Sequence, residues 1–283
     1  MQQTEPKKAF TGRTVLITGG TRGIAAQIAL DLVAQGAWVC VSHSEKHDAL
    51  AGFAGSAREF VEGIKRQGGQ SVAIDQDMGA MDAGKILAQK AIDLSGTIDS
   101  LVLSASIQIE KPLAEQTNAD IDLQYRINLN SNIELLNALL PAMVEAGFGR
   151  ILAIGSVQAT VPSPNMPIYA MTKAAMINLF SNIAREHAPR GVTFNTLSPG
   201  LIETDRNTAK RDDPERWAAM QHGANPMSRA GTPREISPSA LHLLSKDSSF
   251  ITGANLVVSG GAHLGRANPK DTAPYPKPRR SET

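Results

Sequence analysis

Cysteine is nearly absent from this 283-residue chain: a single residue, Cys40, lies in the apolar run Trp38-Val-Cys-Val41. One cysteine excludes an intrachain disulfide and fits a reducing compartment, with Cys40 as a buried spectator. Neither sign of charge is in excess, since 28 Lys and Arg face 27 Asp and Glu for a formal net charge of +1. That balance leaves no footprint for nucleic acid or an anionic membrane surface. No uninterrupted apolar run approaches the roughly 18 residues of a spanning helix. The opening Met-Gln-Gln-Thr-Glu-Pro-Lys-Lys has no apolar stretch of the signal-peptide kind. There is no internal repeat, and no third ligand clusters near His43 and His47, so the two histidines read as polar loop residues and no metal site is expected. The absences point to a cytoplasmic protein, and a hydrophobic content of 42% is enough for one large α/β core.

What is present alternates. Thr14-Val-Leu-Ile-Thr18 is an apolar, β-branched run bounded by glycines, as expected of a buried parallel strand. It runs into Gly19-Gly-Thr-Arg-Gly23-Ile-Ala25, after which Ile24, Ile28 and Leu32 recur at helical spacing. Strand, glycine-rich turn and helix in that order suit a nucleotide pyrophosphate: glycines admit the backbone, and helix N-terminal N–H groups face the anion. Further strands are expected at 37–41, 71–75, 101–103, 150–154, 192–197 and 255–259. Helices are expected up to residue 67, then over 82–94, 128–145, 169–187 and 236–244. Strand and helix in turn imply a single-domain Rossmann-type α/β fold, a doubly wound parallel sheet of about seven strands with helices on both faces.

The domain is placed at residues 13–264, behind an N-terminal arm at 1–12. Residues 265–283, rich in proline and basic side chains, read as a flexible tail. Residues 45–55 look like an insertion or an extra turn of undefined role. The polar stretch 204–229, with a short helix near 215–220, has the composition of a lid. The 128–145 helix has an apolar face wider than one sheet contact needs, and Pro141 should kink it. That excess suggests a subunit interface.

After the second strand, the dinucleotide fold would place an Asp or Glu to hydrogen-bond a free ribose 2′-hydroxyl. Ser42, His43 and Ser44 stand there instead, with Lys46 beyond and Arg22 in the first loop. That set suits a 2′-phosphate, so NADP(H) is expected in preference to NAD(H).

The stretch with the most chemical content begins at Ser156, at the C-terminal end of the fifth strand, where open α/β sheets bind ligands. Thirteen residues on comes Tyr169-Ala-Met-Thr-Lys173. Four apart on a helix, Tyr169 and Lys173 share a face, and an ammonium beside a phenol lowers its pKa toward a usable proton donor.

Together these residues resemble the short-chain dehydrogenase/reductase family over residues 10–264. Thr18-Gly19-x-x-x-Gly23-x-Ala25 matches the cofactor loop with Ala25 for the last glycine, and Asp77-Met78 matches the pair that meets the adenine. Asn128, Ser156, Tyr169 and Lys173 match the catalytic tetrad in order and spacing, and Pro199-Gly200, Ile202 and Thr204 match the segment that closes on the nicotinamide. Asn225-Pro226 through Arg229-x-Gly231-x-Pro233-x-Glu235, and Ile251-Thr252-Gly253, match the C-terminal pattern.

The resemblance implies hydride transfer between a nicotinamide and a carbonyl or secondary alcohol. Tyr169 would be the proton donor, Lys173 would tune it and hold ribose hydroxyls, Ser156 would bond the substrate oxygen, and Asn128 would anchor a water. It implies cofactor contacts from Gly19, Thr21, Arg22, Gly23, Ile24, His43, Ser44, Asp77, Met78, Ser104, Ala105, Ser106, Tyr169, Lys173, Pro199, Gly200, Ile202 and Thr204. A homotetramer, or a homodimer through helices 128–145 and 169–187, follows from it, with a small-molecule substrate of 3-oxoacyl, sugar-derived, cyclic-diol or aromatic-ketone type. One departure is plain: Leu103-Ser104-Ala105-Ser106 replaces the usual Asn-Asn-Ala-Gly, so the side-chain bracing of the fourth strand is expected to be lost. That change and the basic tail leave a non-catalytic, nicotinamide-binding sensor or scaffold as the alternative.

Overall fold

Each apolar run of the sequence becomes a strand of one parallel sheet. The structure, a computed structural model, describes residues 8–264; the proposed tail and most of the N-terminal arm lie outside them. The elements in chain order are β1 (Thr14–Ile17), α1 (Gly23–Ala34), β2 (Trp38–His43), α2 (Glu45–Leu50), α3 (Ser56–Arg66), β3 (Gln70–Asp75), α4 (Ala83–Ser95) and β4 (Ser100–Leu103). There follow α5 (Asn118–Tyr125), α6 (Ser131–Glu145), β5 (Gly149–Ile154), α7 (Pro167–His187), β6 (Val192–Pro199), α8 (Thr208–Arg211), α9 (Pro214–Ala224), α10 (Pro233–Leu244) and β7 (Asn255–Val258).

The strand order is β3-β2-β1-β4-β5-β6-β7. Ile17 pairs with Val41 on one side and Val102 on the other, so the winding reverses between β1 and β4. A crevice opens there at the strands' C-terminal ends, the position at which such sheets take ligands. Both sheet faces are covered. One apolar core joins Leu87 of α4, Leu135 and Met143 of α6 and Phe180 of α7 to the sheet. The other joins Ile28 and Leu32 of α1 to Ile236 and Leu243 of α10. Burial on both faces is why these strands read as continuous apolar runs rather than alternating ones. The pair α4 and α6 lies so close that a Cβ on Gly84 would stand 2.1 Å from the Ser131 carbonyl oxygen.

Four local expectations are corrected. The 45–55 stretch folds into α2 over Glu45–Leu50 and turns from 51 to 55, the helix being capped by Ser44, whose Oγ accepts from the His47 N–H at 3.4 Å. Ser42 and His43 belong to β2 rather than to the loop after it, because the strand pairs with β3 as far as His43↔Asp75. Helix 128–145 begins instead with a π-turn at Arg126–Asn130, and α6 then runs from Ser131 to Glu145 with Pro141 inside it. The added residue in that turn directs Asn128 inward, to 2% exposure. Finally, a helix not expected above, α5, opens on a capping box formed by Thr117 and Asp120.

Candidate active site

A cleft of about 1070 Å³ runs from the N-terminus of α1 across the C-terminal ends of β4, β5 and β6 to the segment at 204–224. Gly19, Arg22, Gly23, Ile24, Ser104, Ala105, Ser106, Ser156, Tyr169, Lys173, Pro199, Gly200, Ile202 and Thr204 all line it. The sequence had marked every one of them. Thr21, His43, Ser44, Asp77, Met78 and Asn128 do not.

The α1 end is built for an anion. Arg22 is the extended N-cap residue, no side chain caps the helix, and no acidic residue occupies its first turn. Its first N–H groups are therefore left for a ligand. Gly19, at φ 62°, comes so near β4 that a Cβ there would meet the Ala105 Cα at 3.2 Å. The chain thus carries the narrow backbone cradle and uncapped helix that a dinucleotide pyrophosphate fits. Ser42 supports this loop from behind: its Oγ accepts from the Gly19 N–H at 3.1 Å, and its carbonyl accepts from the Gly20 N–H at 3.0 Å.

Arg22 is more heavily engaged than the sequence suggested. One guanidinium N–H group lies 2.8 Å from Asp48 Oδ1 and another 3.3 Å from Asp205 Oδ2, and the group stacks 4.4 Å over the Phe53 ring. Asp48 is only 4% exposed, and its other oxygen faces His43 Nδ1 at 3.3 Å. An acidic residue is therefore present at the end of β2 after all. Residue 48 is five positions past His43 in sequence, but one turn of α2 folds it back against the strand. His47 faces Asp77 at 3.1 Å, and Asp77 also accepts from the Gly79 N–H at 2.8 Å. Burial works to raise the Asp77 carboxyl, but the Gly79 N–H and His47 outweigh it and hold it below its ordinary value. Met78 packs into the core. His43 also has Glu45 within 3.9 Å, and no group of three metal-ligating side chains occurs among the described residues.

The bracing expected to be missing beside β4 is supplied by Thr18. Its buried Oγ1 accepts from the Ser104 N–H at 2.9 Å and the Ala105 N–H at 3.0 Å. A Thr18→Val substitution keeps the shape but strands two part-buried N–H groups, a cost of about 2 kcal/mol. The expected result is a melting temperature lower by about 4 °C or more in a chain of this size, read by calorimetry, with Thr18→Ser near wild type.

Ser156 closes β5 and caps the turn Val157–Ala159, its Oγ accepting from the Gln158 N–H at 3.2 Å. Acceptance leaves the hydroxyl proton free to donate into the cleft. Tyr169 and Lys173 lie one turn apart on α7, and the Lys173 ammonium stands 5.6 Å from the Tyr169 ring centre. Lys173 Nζ donates to the Ile154 carbonyl at 2.8 Å. Burial, and secondarily the charge of Arg206, push Lys173 down from the ordinary lysine range to about 7.

Asn128 is spent on protein rather than left for solvent. Its Oδ1 accepts from the Ile107 N–H at 2.8 Å, and its Nδ2 donates to the Ile107 carbonyl at 3.0 Å and to Thr172 Oγ1 at 3.1 Å. It ties the segment after β4 to α7. Arg206, which no spacing in the sequence signalled, reaches across to donate to the Ser106 carbonyl at 3.0 Å.

Comparison with known proteins agrees with this geometry. Residues 19–263 match a family model described as enoyl-(acyl carrier protein) reductase. The chain is 32% identical over 259 residues to glucose 1-dehydrogenase of Gluconobacter oxydans, covering 91% of this chain and 94% of that one. It is 34% identical over 255 residues to the 3-oxoacyl-[acyl-carrier-protein] reductase of Vibrio harveyi, covering 89% and 98%. The structure superposes on an NADP-bound 3-oxoacyl (acyl-carrier-protein) reductase from Agrobacterium tumefaciens C58 with a TM-score of 0.84, at 36% identity, over 92% of this chain and 98% of that one. The chain belongs to the short-chain dehydrogenase/reductase family. It is an NAD(P)-dependent oxidoreductase that moves hydride between a nicotinamide and a carbonyl or alcohol carbon.

Proposed function

We propose that Tyr169, Lys173, Ser156 and Asn128 form the reacting machinery of an NADP(H)-preferring carbonyl reductase, working on a 3-oxoacyl or sugar-derived carbonyl as the named relatives do. The observation that carries this reading is one cleft lined by Ser156, Tyr169 and Lys173 at one end and the uncapped α1 N-terminus at the other. The bound nicotinamide would supply or accept the hydride. In the reductive direction Ser156 donates to the carbonyl oxygen as charge builds on it, and Tyr169 delivers its phenolic proton there. Lys173 stabilises the tyrosinate left behind. Asn128 acts as a positioning residue, holding Ile107 and Thr172 in register behind the site. A panel of oxoacyl, sugar and cyclic ketones followed by NADPH absorbance tests the reading; no turnover of any member would overturn it.

The NADP(H) preference rests on Arg22 and on Ser42 and His43 standing, in place of an Asp or Glu, at the end of β2. Asp48 works against it, because it already shares the guanidinium that a 2′-phosphate would need. Asp48→Asn is expected to raise the NADPH to NADH ratio of kcat/KM by about tenfold, equivalent to roughly 1.4 kcal/mol. An unchanged ratio would mean that Arg22 does not meet the 2′-phosphate.

The proposal extends to a single catalytic domain at 13–264, a lid at 204–229, a cytoplasmic location and a homotetramer or homodimer. No helix among the described residues is long and apolar enough to cross a membrane. Exposed Leu123 and Tyr125 on α5, Ile133 on α6 and Met171 on α7 support a subunit contact on these helices, and Tyr125 Oη lies 3.7 Å from the Met171 sulfur. That apolar surface is what a second copy would cover.

A further inference from the structure

Arg206 sits in the short turn Asp205–Asn207 that opens the lid, and it lines the cleft that holds Tyr169 and Lys173. A side hollow of about 410 Å³, walled by Ser106, Ile107, Gln108, Glu110 and Arg206, adjoins it. The other cations of the cleft are committed. Arg22 pairs with Asp48 and Asp205, Lys210 pairs with Glu110, and Lys173 is anchored on the Ile154 carbonyl. Arg206 makes no ion pair among the described residues. Its bonds go to the carbonyl and hydroxyl oxygens of Ser106, at 3.0 and 3.4 Å, so one edge of a guanidinium is fixed while its charge stays unmatched. Of the carboxylates lining the cleft, Glu110 and Asp205 are already paired, and Asp212 lies beyond α8. Lys173 lies close enough to feel the Arg206 charge, so two like charges share one cleft. An anion between them relieves that repulsion. The remaining walls mix the polar side chains of Gln158, Ser163 and Asn165 with the apolar ones of Val157, Met166 and Met220, so the charge at Arg206 is what distinguishes one substrate class from another.

We infer that Arg206 is a specificity-determining residue that binds a carboxylate of the substrate, so that the preferred substrate is an oxo acid (or the matching hydroxy acid). The planar guanidinium fork, held at Ser106, matches a carboxylate in shape as well as charge. The inference rests on the oxidoreductase reading and narrows it to one substrate class. In reduction the acid's keto carbon gains hydride from NADPH and its oxygen gains the Tyr169 proton, giving the hydroxy acid and NADP⁺; the carboxylate takes no part in the bond changes.

The test uses the full-length enzyme with matched pairs, each an oxo acid and its carboxamide, which carry the same keto group with and without the charge. A phosphorylated ketone forms a third arm. Wild type is expected to favour the acid by on the order of tenfold to a hundredfold in kcat/KM, the scale of a charge-assisted hydrogen bond. Arg206→Ala should collapse that preference mainly through KM for the acid, and Arg206→Lys should restore part of it. An equal loss on acid and carboxamide, no preference in wild type, or a loss confined to the phosphorylated ketone would each overturn the assignment. Turnover of neutral ketones with no charge preference would sink this inference alone. Absence of turnover on every carbonyl would instead sink the oxidoreductase reading beneath it.

Discussion

Tyr169→Phe is expected to lower kcat by on the order of 10² or more while leaving NADP(H) binding intact. The substitution removes only the phenolic oxygen. Tyr169 is 6% exposed and its ring belongs to the buried set, so phenylalanine keeps the packing. The Tyr169 ring stands 5.6 Å from Lys173 Nζ on the same face of α7, with the Ser156 hydroxyl free to hold the substrate. Without the phenolic oxygen, hydride transfer must leave an alkoxide that finds its proton from water. Ser156 still stabilises the developing charge, so residual activity above background is expected rather than none. Steady-state rates give the loss, and fluorescence titration of NADPH gives the binding. Equal activity in both forms would remove Tyr169 as the proton donor. Lost cofactor affinity together with lost rate would mean that the phenol holds the cofactor as well as the proton.

The difference between what could and could not be read from the sequence follows from how far apart in the chain the interacting residues lie. The doubly wound sheet was legible because strands buried on both faces are written as unbroken apolar runs, such as Thr14–Ile17 and Gly149–Ile154. The phosphate cradle was legible because glycine is needed at Gly19 for a backbone reason that only that residue satisfies. Tyr169 and Lys173 were legible because helical spacing alone sets them side by side. Asp48 was not, since its meaning depends on α2 returning it to His43 and Arg22. An inspection limited to Ser42, His43 and Ser44 finds no acid there. Thr18 was recognised as part of a loop motif, yet its role as the brace of β4 depends on a contact 86 residues away in sequence. Arg206 had no signal at all, because a lid arginine looks like any other until the turn aims it at Ser106. The capping box at Thr117 and Asp120 was readable and would have located α5.

Lys173→Met is expected to abolish most turnover and, at the same time, to make the folded chain more stable at pH 6. The two effects share one cause. Lys173 is held in the protein interior against the Ile154 carbonyl, and burial pushes its pKa from 10.5 down to about 7. Between those values the unfolded chain carries a proton that the folded chain does not. Unfolding then takes up a proton, so raising the pH through that window disfavours unfolding and wild-type stability rises. Below about pH 7 the residue is charged in both states and the full cost of burying the ammonium, on the order of a few kcal/mol, is present. Methionine fills a similar volume with no charge to desolvate. Urea midpoints at pH 6, 8 and 10 should show Lys173→Met ahead of wild type at pH 6, with the gap closing toward pH 10. A gap that widens with pH would reverse the sign and refute the buried-ammonium account. Activity should fall by about 10² or more, since the tyrosinate loses its cationic neighbour. The site therefore retains a lysine at a cost to the fold, and the catalytic loss measured against the gain at pH 6 shows how much of that cost serves the chemistry.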